Sequence, residues 1–254
     1  MIDEAKMSFL EHLSELRKRI LWSLFSLIIP FIPAYVFSEK IFDFLMQPII
    51  KNLPEGSSLI FTRPAEGFLT YLRVSFFSAI ILAFPFILYQ SWRFIAPALY
   101  KEEKKIVIPF ILFGTLCFLV GALFCYYIAS PPAFRFLLND YSSEYIKPLP
   151  SISEALSFFM ALIMGFGLIF EFPLIVFLLS RLGFVNSSLL REKRKYAILA
   201  SALIAAVLTP TTDAISMLFM LIPLLVFYEL GILVAWIFAK EKATVTETEI
   251  DMEL

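Results

Sequence analysis

The chain has 254 residues, 60% hydrophobic and 17% charged, with 29 Phe, a mean hydropathy of +0.84 and a formal net charge of −1. That much apolar surface exceeds what a water-facing fold of this length can bury, so lipid is its main solvent and a soluble domain is excluded. The near-neutral charge carries no basic stripe suited to nucleic acid.

A helix needs about 20 predominantly apolar residues to cross a hydrocarbon core roughly 30 Å thick. In chain order, the stretches that reach or approach this length are 20–38, 68–92, 106–129, 153–180, 195–209 and 214–239. No stretch alternates with a strand period, and lipid tolerates no unpaired backbone. The predicted fold class is therefore an all-α integral membrane protein with six transmembrane helices. Residues 1–240 read as a single six-helix domain, and the acidic, Thr-rich stretch 241–254 as a disordered cytoplasmic tail.

Lys and Arg set the orientation. Residues 1–19, 93–105, 181–195 and the tail after 239 carry four, four, five and two of them, against three in 39–67 and two in 130–152. This asymmetry predicts cytoplasmic N and C termini and two polar outer loops. Before the first span, Ser8 and Glu11 form a capping box, and Phe9, Leu13, Leu16 and Ile20 share a face. They predict an interfacial amphipathic helix over 8–19. Its other face carries Glu11 and Glu15 one turn apart. Glu15 is either satisfied by Arg19 or kept as an acidic spot for a cationic partner. The run that follows contains Pro30 and Pro33 and lacks a small-x-small site, which predicts a retained signal anchor.

Within the spans, polar residues are expensive and therefore informative. Arg73 lies a short way inside span two and can snorkel to the outer interface. Cys117 and Cys125 are eight positions apart on one helix, about 12 Å of rise, too far for a disulfide between them. Glu171 lies ten residues from Arg181, about 15 Å by helical rise, and hence near mid-membrane. Pro173 cannot donate to the Ile169 carbonyl, which leaves an acceptor beside the acid. Glu171 is either a hydrogen-bonded packing residue or part of a polar spot facing a cavity or partner. Glu229, eleven residues before Lys240, poses the same choice.

Span five has an apolar part of only 13 residues, about 20 Å of helix. Pro210 ends it, and Thr212 or Asp213 can cap the next helix. Ala200, Ser201, Ala202, Ala205 and Ala206 offer a smooth face, suited either to a partner helix or to packing within the chain. His12 is the only histidine, and the sequence holds no metal-ligand cluster, phosphate-cradling loop or nucleophile elbow. No cofactor, metal or enzymatic activity is expected.

Four segments bring a resemblance: HLSELRKR at 12–19, FPFILYQSWRFIAPALYKEEKK at 84–105, FEFP at 170–173 and LTPTTD at 208–213. Together, in this order and over about residues 8–240, they resemble the TatC family, the multi-span receptor subunit of the twin-arginine protein translocase. The resemblance implies a concave bundle with short fifth and sixth helices in the cytoplasmic membrane, or an organelle membrane. It also implies self-association in a larger complex and single-span partners of the TatA and TatB type. The function implied is reception of folded precursors through paired arginines in their signal peptides, with export driven by the proton-motive force. By similarity, Glu15 and Glu103 hold the two arginines, and Arg17, Phe94, Pro97, Leu99 and Tyr100 shape the surface around them. Glu171 and Thr209 form an intramembrane polar site, while Pro48 and Asp213 fall on motif positions that shape the fold. Met217 stands where some relatives carry glutamine, so a polar partner contact there must use Thr209 or Ser216.

The chemistry of two acids agrees with this. A guanidinium fork matches a carboxylate bidentately as an ammonium cannot, so two carboxylates can demand two arginines. A proton-coupled small-molecule transporter would also use an intramembrane acid, but it would show paired repeats. The only echo here is FP-x-I, with an Arg nine residues after the Phe, at 84–93 and 172–181. A structural scaffold is the third reading, and it predicts no effect of exchanging Glu15 or Glu103.

Overall fold

The structure is a computed structural model that describes residues 9–95, 107–139, 147–208 and 214–238. The tail at 241–254 and the capping residue Ser8 lie outside these residues. Among the described residues the regular structure is helical, with turns and loops at 51–65, 147–151 and 182–186, and the one β-contact is an isolated parallel bridge between Ile60 and Ser151.

Helix α1 (Phe9–Phe25) is uninterrupted, so the amphipathic segment and the start of span one are a single rod. It ends where Pro30 lacks the N–H that would engage the Ser26 carbonyl. After a turn at Ser26 and Leu27, α2 (Ile28–Val36) resumes with Pro30 in its first turn, where no donor is needed. Together, Glu11–Val36 are long and apolar enough to cross a membrane. Leu13, Leu16 and Ile20 are exposed, as lipid-facing residues should be.

Helix α3 (Ser38–Ile50) occupies what the sequence presents as outer loop. Leu45, Met46 and Ile49 are buried on one face of it, and its charges lie in the first two turns. Pro48 sits in its last turn and withholds the N–H that the Phe44 carbonyl, four residues earlier, would accept. Tyr126 supplies the missing donor: its hydroxyl donates to the Phe44 carbonyl at 2.8 Å, and the two rings stack at 4.4 Å. Asn52 ties off the same turn, its Nδ2 donating to the Pro48 carbonyl at 2.7 Å. The Asn52 carbonyl accepts from Asn139 at 2.9 Å.

Helix α4 (Glu66–Ile95) contains span two, and α5 (Val107–Phe124) continues through a π-helical turn (Cys125–Ala129) into α6 (Ser130–Asn139). The third span thus runs ten residues past its expected end. Pro131 lacks the N–H that the Tyr126 carbonyl would accept in the π-helical pattern, and the Ser130 hydroxyl donates to that carbonyl instead, at 2.9 Å. Cys117 and Cys125 are free thiols.

Helix α7 (Ile152–Arg181) is the hub, packed on α5 along one side and on α10 (Ala214–Phe238) along another. Over half of its most apolar stretch is buried, against about a tenth for span one. Close approach to α5 requires Gly121, where an added Cβ would lie 2.6 Å from the Phe166 carbonyl oxygen. A short helix, α8 (Ser187–Glu192), is capped by Asn186, which accepts from the Leu189 N–H at 2.8 Å. It leads into α9 (Arg194–Leu208), whose 15 residues rise about 22 Å.

Among the described residues five helical stretches are long and apolar enough to cross a membrane; α9, at the position expected for a short fifth span, is not one of them. The short sixth helix that the resemblance implies is not observed, and the sixth helix instead has the length of the apolar stretch 214–239. Helix α10 has 25 residues, about 37 Å of rise, with Pro223 inside it.

Candidate functional site

One face of α1 meets the end of α4. His12, Glu15 and Arg19 recur at helical spacing on α1, and Gln90 and Phe94 lie one turn apart on α4. The His12 and Phe94 rings stack at 4.4 Å with 24° between their planes. Arg19 is buried; one guanidinium nitrogen is paired with a Glu15 carboxylate oxygen and the other donates to Gln90 Oε1 at 3.1 Å. The Arg19 pairing read as one option for Glu15 is thus present. It engages one carboxylate oxygen, and the second remains for another donor.

Arg17 lies two residues from Glu15, about 200° around α1. It lines a different groove of about 610 Å³, with Lys18, Leu21 and Trp22. Glu103, Pro97, Leu99 and Tyr100 lie outside the described residues, as do Thr209 and Asp213. Gln90 was not singled out in the sequence. Its signal is a polar residue inside the apolar run FPFILYQSWRF, and it is 4% exposed.

A second polar centre forms at the opposite end of α4. Glu66, the first residue of that helix, is buried and accepts five hydrogen bonds. The Thr62 N–H at 2.6 Å, the Thr62 hydroxyl at 2.9 Å and the Arg63 N–H at 3.2 Å reach Oε2. The Ser151 hydroxyl at 2.6 Å and the Ser153 N–H at 2.9 Å reach Oε1. Ser151 is the N-cap residue of α7 but caps nothing with its own side chain, so Glu66 satisfies a first-turn donor of α7 from another helix. The adjoining bridge joins Ile60 to Pro150 and Ile152. No local pattern announces Glu66, because its partners on α7 are 85 and 87 positions away.

Glu171 is where its depth predicts, but its side chain is 4% exposed and turned into the contact between α7 and α5. There Gly114 leaves it room: a Cβ at that position would sit 3.2 Å from Glu171 Oε2. A polar patch open to lipid or to a partner is therefore not what surrounds this acid. The buried face of α7 claims it. Glu229 pairs with Arg194 at 2.6 Å and ties α10 to α9, and the neighbouring Tyr228 hydroxyl donates to the Leu190 carbonyl at 2.7 Å. The small residues of α9 divide between two faces. Ser201 and Ala205 are buried within the chain, while Ala200 and Ala206 are exposed beside Leu203 and Val207.

The family model described as Sec-independent protein translocase protein (TatC) matches residues 11–223. The chain belongs to the TatC family. The Sec-independent protein translocase protein TatC of Desulforapulum autotrophicum is 40% identical over 240 residues, covering 94% of this chain and 88% of that protein. That of Escherichia coli K12 is 39% identical over 221 residues, 87% of this chain and 85% of the relative. A crystal structure of the twin-arginine translocase receptor TatC superposes with a TM-score of 0.80 at 38% identity, covering 89% of this chain and 98% of that one. This TatC-family chain is thus a multi-pass membrane subunit of the twin-arginine translocase, a protein-transport machine. Its all-helical architecture is the family's.

Proposed function

We propose that this chain is the translocase's receptor for twin-arginine signal peptides, with Glu15 and Glu103 each taking one arginine. The observation that carries the reading is the junction of α1 with α4, through the His12–Phe94 stack and the Arg19–Gln90 hydrogen bond. It brings Glu15 to the end of α4, from which the segment bearing Pro97, Leu99, Tyr100 and Glu103 departs. Arg19 holds one oxygen of Glu15 and fixes the carboxylate, so an incoming guanidinium meets an oriented acceptor.

An exposed ion pair contributes only about 0–1 kcal/mol. The signal's apolar segment must therefore also bury against the helices. In this reading the chain is one domain of six spans with both termini cytoplasmic, α9 being the short fifth. TatA- or TatB-type single helices pack on the outward face of α9, and the proton-motive force drives export in a larger self-associated complex. Glu171 acts from inside the α5–α7 contact, and Pro48 and Asp213 shape the fold.

The test is photocrosslinking from positions 15 and 103 to a radiolabelled precursor, with binding to Glu15→Ala, Glu15→Lys, Glu103→Ala and Glu103→Lys. The alanine changes should weaken binding, and the lysine changes should abolish it by repulsion. A twin-lysine signal should bind poorly to the unaltered protein. Normal binding by the doubly charge-reversed, correctly inserted protein would falsify the site.

A further inference from the structure

We propose that the groove between α2, α4 and α7 is a phospholipid site, with the lipid phosphate on Arg73 and an acyl chain lying along the apolar wall. The groove is open along one side, has a volume of about 620 Å³ and is lined by Phe31, Leu72, Phe76, Ile80, Met160 and Met164, with Arg73 as its single charged side chain. Its volume is in the roughly 300–1,000 Å³ range of small-molecule sites.

Arg73 is the residue that needs a partner. It is exposed, seven residues inside α4, about 10 Å below Glu66 by helical rise. One guanidinium nitrogen donates to the Ser153 hydroxyl at 2.5 Å and sits 3.4 Å from that of Ser157. Both acceptors are neutral. Among the described residues no carboxylate lies within 4.0 Å of Arg73, and Glu66 on the same helix is already engaged by five donors. The serines thus fix the guanidinium against α7 without neutralising it.

A cation held at this depth beside hydrocarbon is stabilised by an anion, and the guanidinium fork matches phosphate oxygens. The groove then decides between lipid and free phosphate. From the level of Arg73 it runs past Phe76 to Ile80, about 10 Å of helix, with no other charged group in its wall. Free phosphate has no use for that wall, whereas an acyl chain does.

The test uses the full chain in detergent, with phosphatidylglycerol as the probe and diacylglycerol of the same chains as the phosphate-free control. Bound lipid is counted by native mass spectrometry. The unaltered protein should retain phosphatidylglycerol and not diacylglycerol. Arg73→Gln should lower its occupancy about tenfold, the loss of one charge-assisted contact. Ala161→Phe, which fills the groove and leaves Arg73 intact, should lower it as well. Equal retention by both variants, or equal retention of diacylglycerol, would overturn the site. An arm without substitutions uses phosphatidylglycerol with a photoreactive acyl chain. Crosslinks to the peptide holding Met160 and Met164 support the site, and crosslinks confined to other helices, or displacement of the lipid by a signal peptide, refute it.

Discussion

The hydrogen bond from Tyr126 to the Phe44 carbonyl exists because Pro48 leaves that carbonyl without its helical donor, and this makes the two residues energetically dependent. Tyr126→Phe removes the hydroxyl, keeps the ring stacked on Phe44, and orphans a part-buried carbonyl. An unsatisfied buried acceptor costs about 1–3 kcal/mol. Hydrogen bonds between membrane helices run lower, about 0.6 kcal/mol on average and about 1.7 at most. The expected loss is therefore about 1 kcal/mol, roughly fivefold in the unfolding equilibrium. Pro48→Ala restores an N–H four residues after Phe44, so in that background the same Tyr126→Phe change should cost only a few tenths of a kcal/mol. The assay is reversible unfolding in mixed detergent–SDS micelles on the four proteins of the cycle, followed by circular dichroism. The double variant should be more stable than the sum of the single changes predicts. Additivity within about 0.3–0.5 kcal/mol would refute the reasoning, because independent sites add to that tolerance.

Gly121→Ala should strain the α5–α7 contact, since its methyl would lie 2.6 Å from a backbone oxygen that cannot swing aside. A loss of about 1–3 kcal/mol in the same unfolding assay is expected, and an unchanged midpoint would mean that the helices separate freely there. Glu66→Gln puts an amide donor among five donors and should expose the 51–65 segment to limited proteolysis several-fold faster than in the parent; an unchanged cleavage rate would count against the carboxylate as the clasp. On α9, Ala206→Trp should reduce copurification of a single-span partner while leaving the melting temperature alone, and Ser201→Trp should lower the melting temperature first, because Ser201 faces the chain's own core. The reverse pattern would move the docking face.

The spans were legible because their signal is length and composition, which no tertiary contact can override in lipid. Ile152–Arg181 and Ala214–Phe238 fall within a residue or two of the expected limits. Helix α3 was missed for the converse reason: Glu39, Lys40 and Asp43 lower its hydropathy, and only the spacing of Leu45, Met46 and Ile49 betrays a buried face. The third span runs on to Asn139, beyond the expected limit of 129, because the helix continues through the π-helical turn at Cys125–Ala129. At the candidate site, the acids and the aromatic partner were visible as motif residues, while Gln90 and Arg19 emerged as the link between helices only once α1 and α4 were brought together. Glu171 shows the limit most directly. Helical rise fixes its depth, but the direction of its side chain depends on which neighbour packs against α7, and the groove left by Gly114 on α5 decides it.

The Glu66 clasp joins an early part of the chain to a much later one. Residues leave the ribosome from the N-terminus, so α4 and its carboxylate emerge some 85 residues before Ser151 and Ser153. In the folded chain Thr62 and Arg63, from the turn before α4, supply the local half of the cradle. The distant half comes from the start of α7, through the Ser153 N–H and the Ser151 hydroxyl. The late helix is thereby registered against the early one by a single side chain, and an insertion that set α7 a turn too deep or too shallow would leave that cradle unfilled.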